Sequence, residues 1–313
     1  MLNPFKRYLS PRPLVLWYNN RRMKGYIYEA IDKRFAEIKE QQASGSSSKK
    51  SKSVISLVLQ TYVKETPPNR HGQLDKDFRD TTAAQLRNFL FAGHDTSGST
   101  LVYCFHVLAA HPEVLARMRA EHDDVFGKDL SQLESKLSQD PALLNRLSYT
   151  QAVIKETLRM HPPSSVMRLG RHDVIFTDDD GRRCPSEGCS VWALNTGLHY
   201  NPRHWKDPGK FIPERWLVEP GDPLYPTKGS WRPFNHGQRN CIGQSLALME
   251  IRVVLVMTVR EFDIKSAYDE WDKRFPPGER VTKVRGDRAY EAENGGGGAQ
   301  PADGYPCTIS FCR

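Results

Sequence analysis

The chemistry in this chain starts from one cysteine. From Trp231 to Gln244 the sequence reads WRPFNHGQRNCIGQ, a loop rich in Pro, Asn and Gly that ends in Cys241. A segment without Gly or Pro follows from Ser245 to Phe262, so Cys241 is expected at or just before a helix N-terminus. Unpaired backbone N–H groups and the helix dipole favour negative charge there. With Arg239 two residues away, the thiolate is favoured, and a thiolate is a soft-metal ligand. Gly237 and Gly243 are expected to let the backbone turn tightly and approach a flat ligand closely. The plainer alternative is a small buried cysteine behind a turn.

Two further groupings could do chemistry or hold a site in place. The stretch from about Thr81 to Ala110 reads as a long apolar helix that ends before Pro112. Its middle, Ala92 to Thr100, is AGHDTSGST, mostly poor helix formers. Thr and Ser there can bond backbone carbonyls and bend the helix, and such departures from local rules are expected at functional sites. The alternative is a buried helix whose small residues permit close packing. From Leu147 to Met160 a second helix is expected, stopping before Pro162 and Pro163. Glu156 and Arg159 lie three apart on it and share a face. Taken alone, that pair is a surface salt bridge worth a fraction of a kcal/mol.

The motif F-x-x-G-x-R-x-C-x-G is matched in full by Phe234, Gly237, Arg239, Cys241 and Gly243. On it the chain resembles a cytochrome P-450 monooxygenase of the fungal type. The resemblance implies that Cys241 is the axial thiolate ligand of the iron of haem b. Such ligation pushes electron density to iron and favours O–O cleavage. The resemblance extends to A/G-G-x-D/E-T, matched by Ala92, Gly93, Asp95 and Thr96. It implies a groove over the haem, with Thr96 hydrogen-bonding the bound oxygen or its water and Asp95 relaying protons.

Glu156-Thr157-Leu158-Arg159 matches the E-x-x-R helix, and Pro213-Glu214-Arg215-Trp216 matches the later P-E-R-W segment. Glu156, Arg159 and Arg215 are thereby expected in a buried charge network, as structural residues. Arg's planar fork suits such pairing. Arg168 and Arg239 fall where haem propionates are held, and two guanidinium groups suit two carboxylates. Residues near Ser164 to Met167 are implied on the substrate side. His199 and His204 read as structural rather than as metal ligands.

The elements that must position these residues follow from periodicity and breakers. Residues 1–28 carry six basic residues and no acidic one, mixed with Leu14, Val15, Leu16, Trp17 and Tyr18. That mixture suits a membrane surface, or a Pro-broken loop leading into a surface helix. A helix is expected from Met23 to Gln42, then a flexible Ser/Lys linker at 41–53, then a helix from Val54 to Glu65. Short strands are expected at Val166–Leu169, Val174–Phe176 and Val191–Leu194, and Tyr305–Phe311 as the closing strand of a late hairpin.

The 313 residues are 26% charged and 38% hydrophobic, the composition of a globular protein, with net charge +8. No zinc-finger, RRM or KH signature accompanies the charge and the basic residues are spread, so nucleic acid is not the expected partner. Six cysteines without framework spacing point to a reducing compartment. No apolar run of about 18 residues marks a transmembrane helix.

The expected fold is mainly α with a small β portion: a single cytochrome P-450 domain over 1–313, incomplete at the N-terminus. The distal helix at 81–110 sits unusually early, and the family's membrane anchor and first strands have no counterpart. The resemblance implies haem-thiolate monooxygenation of a small hydrophobic substrate, such as a secondary metabolite or lipid, using O2 and electrons from NADPH-cytochrome P-450 reductase. It implies the cytosolic face of the endoplasmic reticulum. The alternatives are a truncated, haem-deficient remnant with the same motifs, and a basic helical interaction protein without cofactor.

Overall fold

The computed structural model describes residues 10–43, 53–66, 74–276, 283–289, 291–293 and 299–312. Of the linker expected at 41–53, residues 41–43 belong to the first helix and Ser53 caps the next; residues 44–52, and the glycine run 295–298, lie outside the described residues. By internal contacts the chain divides into two compact units, residues 1–92 and 93–313.

The first unit is built on helices α1 (Arg12–Ala43) and α2 (Val54–Glu65), with the opening turns of α3 (Lys76–Ala110). Helix α1 starts eleven residues before the expected Met23. Pro13 does not prevent this, because a first-turn N–H has no intrahelical partner to lose. Ile27, Ile31, Phe35 and Ile38 recur at the helical period and are buried against Leu59, Val63 and Ala83. Ser53 caps α2, its hydroxyl oxygen accepting from the Ser56 N–H at 3.2 Å. Tyr62 stacks on Phe78 with ring centroids 4.0 Å apart.

In the second unit α3 continues without interruption through Gly93 and Gly98. It is followed by α4 (Pro112–Phe126), α5 (Leu133–Gln139) and α6 (Ser148–Met160), with 3-10 turns at Leu130–Gln132 and Pro141–Arg146. Strands β1 (Val166–Leu169), β2 (Ile175–Thr177), β3 (Arg183–Pro185) and β4 (Ser190–Ala193) come next, then α7 (Asn195–His199) and a 3-10 turn at Pro213–Trp216. Helix α8 (Gln244–Thr258), β5 (Phe262–Ser266), α9 (Tyr268–Arg274), β6 (Glu291–Glu293), β7 (Ala299–Pro301), a 3-10 turn at Ala302–Gly304 and β8 (Cys307–Phe311) complete the described elements.

One apolar core ties four helices together. It holds Cys104 and Leu108 of α3, Val114 and Met118 of α4, Val153, Ile154 and Leu158 of α6, and Ile251 and Leu255 of α8. Trp231 and Phe234, from the loop that precedes Cys241, pack against the same cluster. The helix carrying Asp95 and the helix that Cys241 introduces are thus fixed to one common body.

Among the described residues the strands form four antiparallel pairs, β1 with β4, β2 with β3, β5 with β8, and β6 with β7. The β1–β4 register sets Met167 opposite Trp192 and Arg168 opposite Val191. The C-terminal arrangement differs from expectation. Cys307–Phe311 pairs with Phe262–Ser266, while the late hairpin is Glu291–Glu293 with Ala299–Pro301. Local pattern favours a strand but does not choose its partner.

Candidate active site

The Cys241 loop is closed by one backbone bond. The Cys241 N–H donates to the Phe234 carbonyl at 2.8 Å, and within that ring the Asn240 N–H donates to the Gly237 carbonyl at 3.1 Å. The turn needs two left-handed residues, Asn235 at φ +63° and Gly237 at φ +82°. Asn tolerates that region and Gly is at ease in it. Gly243 behaves differently from the expectation. Its φ is −87°, open to any residue, and it serves as the N-cap of α8. A Cβ built there would lie 3.8 Å from Cys241 Sγ, ordinary contact. Cys241 therefore precedes α8 by three residues, with its side chain exposed.

Beneath the loop lies a charge network. Glu156 Oε1 accepts from Arg159 Nη2 at 2.8 Å, from Arg215 Nε at 3.0 Å and from the Ile212 N–H at 3.0 Å. Its Oε2 accepts from Arg159 Nε at 3.0 Å and Trp216 Nε1 at 3.1 Å. All three charged side chains are 0% exposed. The spare guanidinium donors reach carbonyls at the end of α7 and in the connection from it to the 3-10 turn at Pro213–Trp216. Arg159 donates to those of His199, Pro208 and Lys210, and Arg215 to those of Lys206 and Asp207. Both guanidinium groups and the Trp216 indole thus have acceptors, as buried charges require, while the buried Trp205 Nε1 beside them has none among the described residues.

His199 links the network to the Cys241 loop. Its Nδ1 lies 2.9 Å from the Arg159 carbonyl, and its Nε2 accepts from the Arg232 N–H at 2.9 Å. A carbonyl only accepts and an amide N–H only donates, so the ring is neutral with its proton on Nδ1. Burial agrees, pushing its pKa down to about 4. Rings then run in series from His199 through Trp205, Trp216 and Trp231 to Phe234, with centroids 5.4–6.4 Å apart. Trp231 Nε1 also donates to the Lys155 carbonyl of α6 at 3.1 Å. Nothing in the sequence marks this series, because its five rings fall at irregular spacings between 199 and 234 and share no helix or strand period.

On α3, Thr100 Oγ1 donates to the Thr96 carbonyl at 2.8 Å, a satisfied side chain-to-backbone bond within a continuous helix. Asp95 and Thr96 are half-buried, and Ala92 and Gly93 exposed. Asp95 is held from outside its helix: Gln300 Nε2 donates to Asp95 Oδ1 at 2.9 Å. Nothing local in the sequence distinguishes Gln300.

Arg168 Nη1 donates to the neighbouring Met167 carbonyl at 2.9 Å, and both Arg168 and Arg239 are exposed. Among the described residues no carboxylate is paired with either guanidinium. Ile242 is 88% exposed, and Leu246 and Met249 on α8 are also exposed. An exposed thiol at a helix start, apolar side chains on the adjoining helix and two exposed guanidinium groups not paired with carboxylates fit a flat apolar group with an iron centre and two carboxylates. The donor set therefore fits haem.

The pattern that defines the family Cytochrome P450 matches residues 1–285. Cytochrome P450 monooxygenase polC of Polytolypa hystricis is 42% identical over 310 residues, covering 99% of this chain and 54% of that protein. Cytochrome P450 monooxygenase acrF of Aspergillus aculeatus is 34% identical over 332 residues, covering 98% of this chain and 63% of that protein. The chain thus spans a little over half the length of these relatives. The crystal structure of the cytochrome P450DA heme domain superposes with a TM-score of 0.68 at 20% identity, covering 98% of this chain and 58% of that one. The fold is that of a P450 haem domain, mainly helical with small sheets, and the chain belongs to the cytochrome P450 family.

Proposed function

We propose that this chain carries the haem-thiolate half of a monooxygenase that inserts one oxygen atom from O2 into a small hydrophobic substrate. The observation that carries the reading is Cys241, an exposed thiol ahead of α8 in a loop closed by the Phe234 carbonyl. Bound there, haem b supplies the redox chemistry that activates O2, with NADPH-derived electrons arriving through a reductase. The protein's own residues bind and orient. Cys241 Sγ would ligate the iron of a bound haem, and Gly237 and Gly243 would keep bulk away from it. Arg239 and Arg168 would hold the two carboxylates of the cofactor by charge-assisted bonds. Ala92 and Gly93 present little side chain, leaving room for substrate. Thr96 Oγ1 hydrogen-bonds the oxygen substrate or its water, and the Asp95 carboxylate passes protons toward Thr96.

The partners follow from charge and surface. A groove of about 440 Å³ beside the Cys241 loop is lined by Lys155, Trp216, Tyr225, Lys228 and His236 among others. Its lysines suit an acidic reductase surface. In the first unit, α1 exposes Leu14, Val15, Trp17 and Tyr18 with Arg12, Arg21 and Arg22, a combination suited to a membrane surface. No helix among the described residues is long and apolar enough to cross a membrane. We place the protein at the cytosolic face of the endoplasmic reticulum, acting on a lipid or secondary metabolite.

The test is a reduced, CO-bound absorption spectrum of the haem-reconstituted chain. The red-shifted Soret band of thiolate ligation is expected, and Cys241→Ser should abolish it. A band that survives the substitution removes Cys241 as ligand.

A further inference from the structure

Helix α3 carries Asp95, Ser99, Val102 and His106 at the spacing i, i+4, i+7, i+11, which places them in one stripe. The C-terminal part of the chain lies along that stripe. His106 Nε2 meets Asp287 Oδ2 at 2.8 Å. Val102 packs against Tyr268, Ala289 and Tyr305. The Ser99 hydroxyl donates to the Ala299 carbonyl. Gln300 Nε2 donates to Asp95 Oδ1 at 2.9 Å and also reaches the Asp95 backbone carbonyl at 3.3 Å. Both Asp95 atoms are acceptors, so the amide must present its NH2 to them. Gln300 is itself held from a third side, because the neighbouring Ala299 N–H donates to the Pro163 carbonyl at 2.9 Å. The amide is therefore aimed by strand β7, Pro163 and Ser99 together.

We propose that Gln300 is the positioning residue for Asp95: it pins Oδ1 against the helix and leaves Oδ2 as the oxygen that exchanges a proton with Thr96. The proposal rests on the reading of Asp95 as a proton carrier given above. A carboxylate on an open helix face otherwise turns freely about its side-chain bonds, and one donor fixed by three supports removes that freedom. The residue that orients the acid comes from about 200 positions away, from the last strands of the chain.

The experiment compares Gln300→Glu with Gln300→Leu in the 313-residue chain. Both remove the amide and keep similar bulk, but only glutamate sets a second carboxylate against Asp95. Thermal unfolding is followed from pH 4.5 to pH 7.5. The Tm of Q300E is expected to fall relative to Q300L by roughly 2–4 °C across that range, as the two acids lose their shared proton. The gap should close when Asp95→Asn is added. Coincident pH profiles for the two variants overturn the proposal. With the haem-loaded chain, reductase and dodecanoate as hydrophobic probe, Q300L should raise the peroxide released per NADPH oxidised several-fold. Gln300→Asn, shorter but still an amide, should fall between Q300L and wild type. If the stability gap appears but Asp95→Asn leaves peroxide release at the wild-type level, the contact is real and the proton role of Asp95 is wrong. If Asp95→Asn raises peroxide release and Q300L does not, Asp95 keeps its role and Gln300 loses its own.

Discussion

Glu156 and Arg215 are 59 residues apart in the chain and 3.0 Å apart in the fold, and neither side chain is exposed to solvent. Glu156 is the single acceptor at the centre of two guanidinium groups, an indole and a backbone amide. Glu156→Gln keeps the shape, removes the negative charge and turns an NH2 toward those donors. The loss is expected at about 3–5 kcal/mol, the cost of leaving buried charge uncompensated. Urea unfolding midpoints with an unchanged slope measure it; a loss under about 1 kcal/mol would contradict the network's importance.

His199 gives the stability a pH dependence of known sign. Its folded pKa of about 4 lies below the ordinary 6.5, so the unfolded chain binds the extra proton. The stability that neutral His199 contributes is complete above pH 6.5 and is lost as pH falls toward 4. His122 and His161, also pushed down by burial, to about 4 and about 3, act in the same direction. His199→Gln should flatten the decline in Tm between pH 6.5 and pH 4.5 without removing it, since two histidines remain. An unchanged slope would show that His199 is already charged in the native protein.

Two glycines of the Cys241 loop should respond differently to alanine. Gly237 at φ +82° is in the left-handed region, so Gly237→Ala is expected to cost about 1–2 kcal/mol through backbone strain alone, since nothing lies near its missing Cβ. Gly243 at φ −87° has no such strain, and Gly243→Ala should be near neutral for folding. Equal losses in chemical denaturation would refute the distinction.

Thr96→Ala should leave the haem spectrum unchanged and divert electrons to peroxide. Thr96 sits in an unbroken helix, and the carbonyl that Thr100 uses is retained in alanine. The measurement is product formed against NADPH consumed. If the two stay matched in the variant, the hydroxyl has no part in handling oxygen.

Arg239→Gln and Arg168→Gln should each reduce haem content after reconstitution. Neither arginine is paired with a carboxylate among the described residues, so their removal should leave the apoprotein's Tm within about 1 °C. Unchanged haem content in both variants would remove the two arginines from the site.

The sequence alone determined the elements whose signals are local. Helix Val54–Glu65 could be read from its own residues and from Pro67 and Pro68, which stop it. The loop from Trp231 to Cys241 could be read because its glycines, arginine and cysteine are neighbours at fixed spacing. Family and fold class followed from such neighbours. Tertiary structure decided whatever depends on residues distant in the chain. No local pattern says that Cys307–Phe311 pairs with Phe262–Ser266, because a strand carries the same alternation whichever edge it joins. The early start of α1 was hidden by Pro13, which breaks a helix interior but not its first turn. The tautomer of His199 required the Arg159 carbonyl and the Arg232 amide to arrive from either side. The Gln300–Asp95 bond required the chain's last strands to lie along α3. Side-chain chemistry is written in the sequence, but which donor meets which acceptor is fixed only when burial forces every polar group to find a partner.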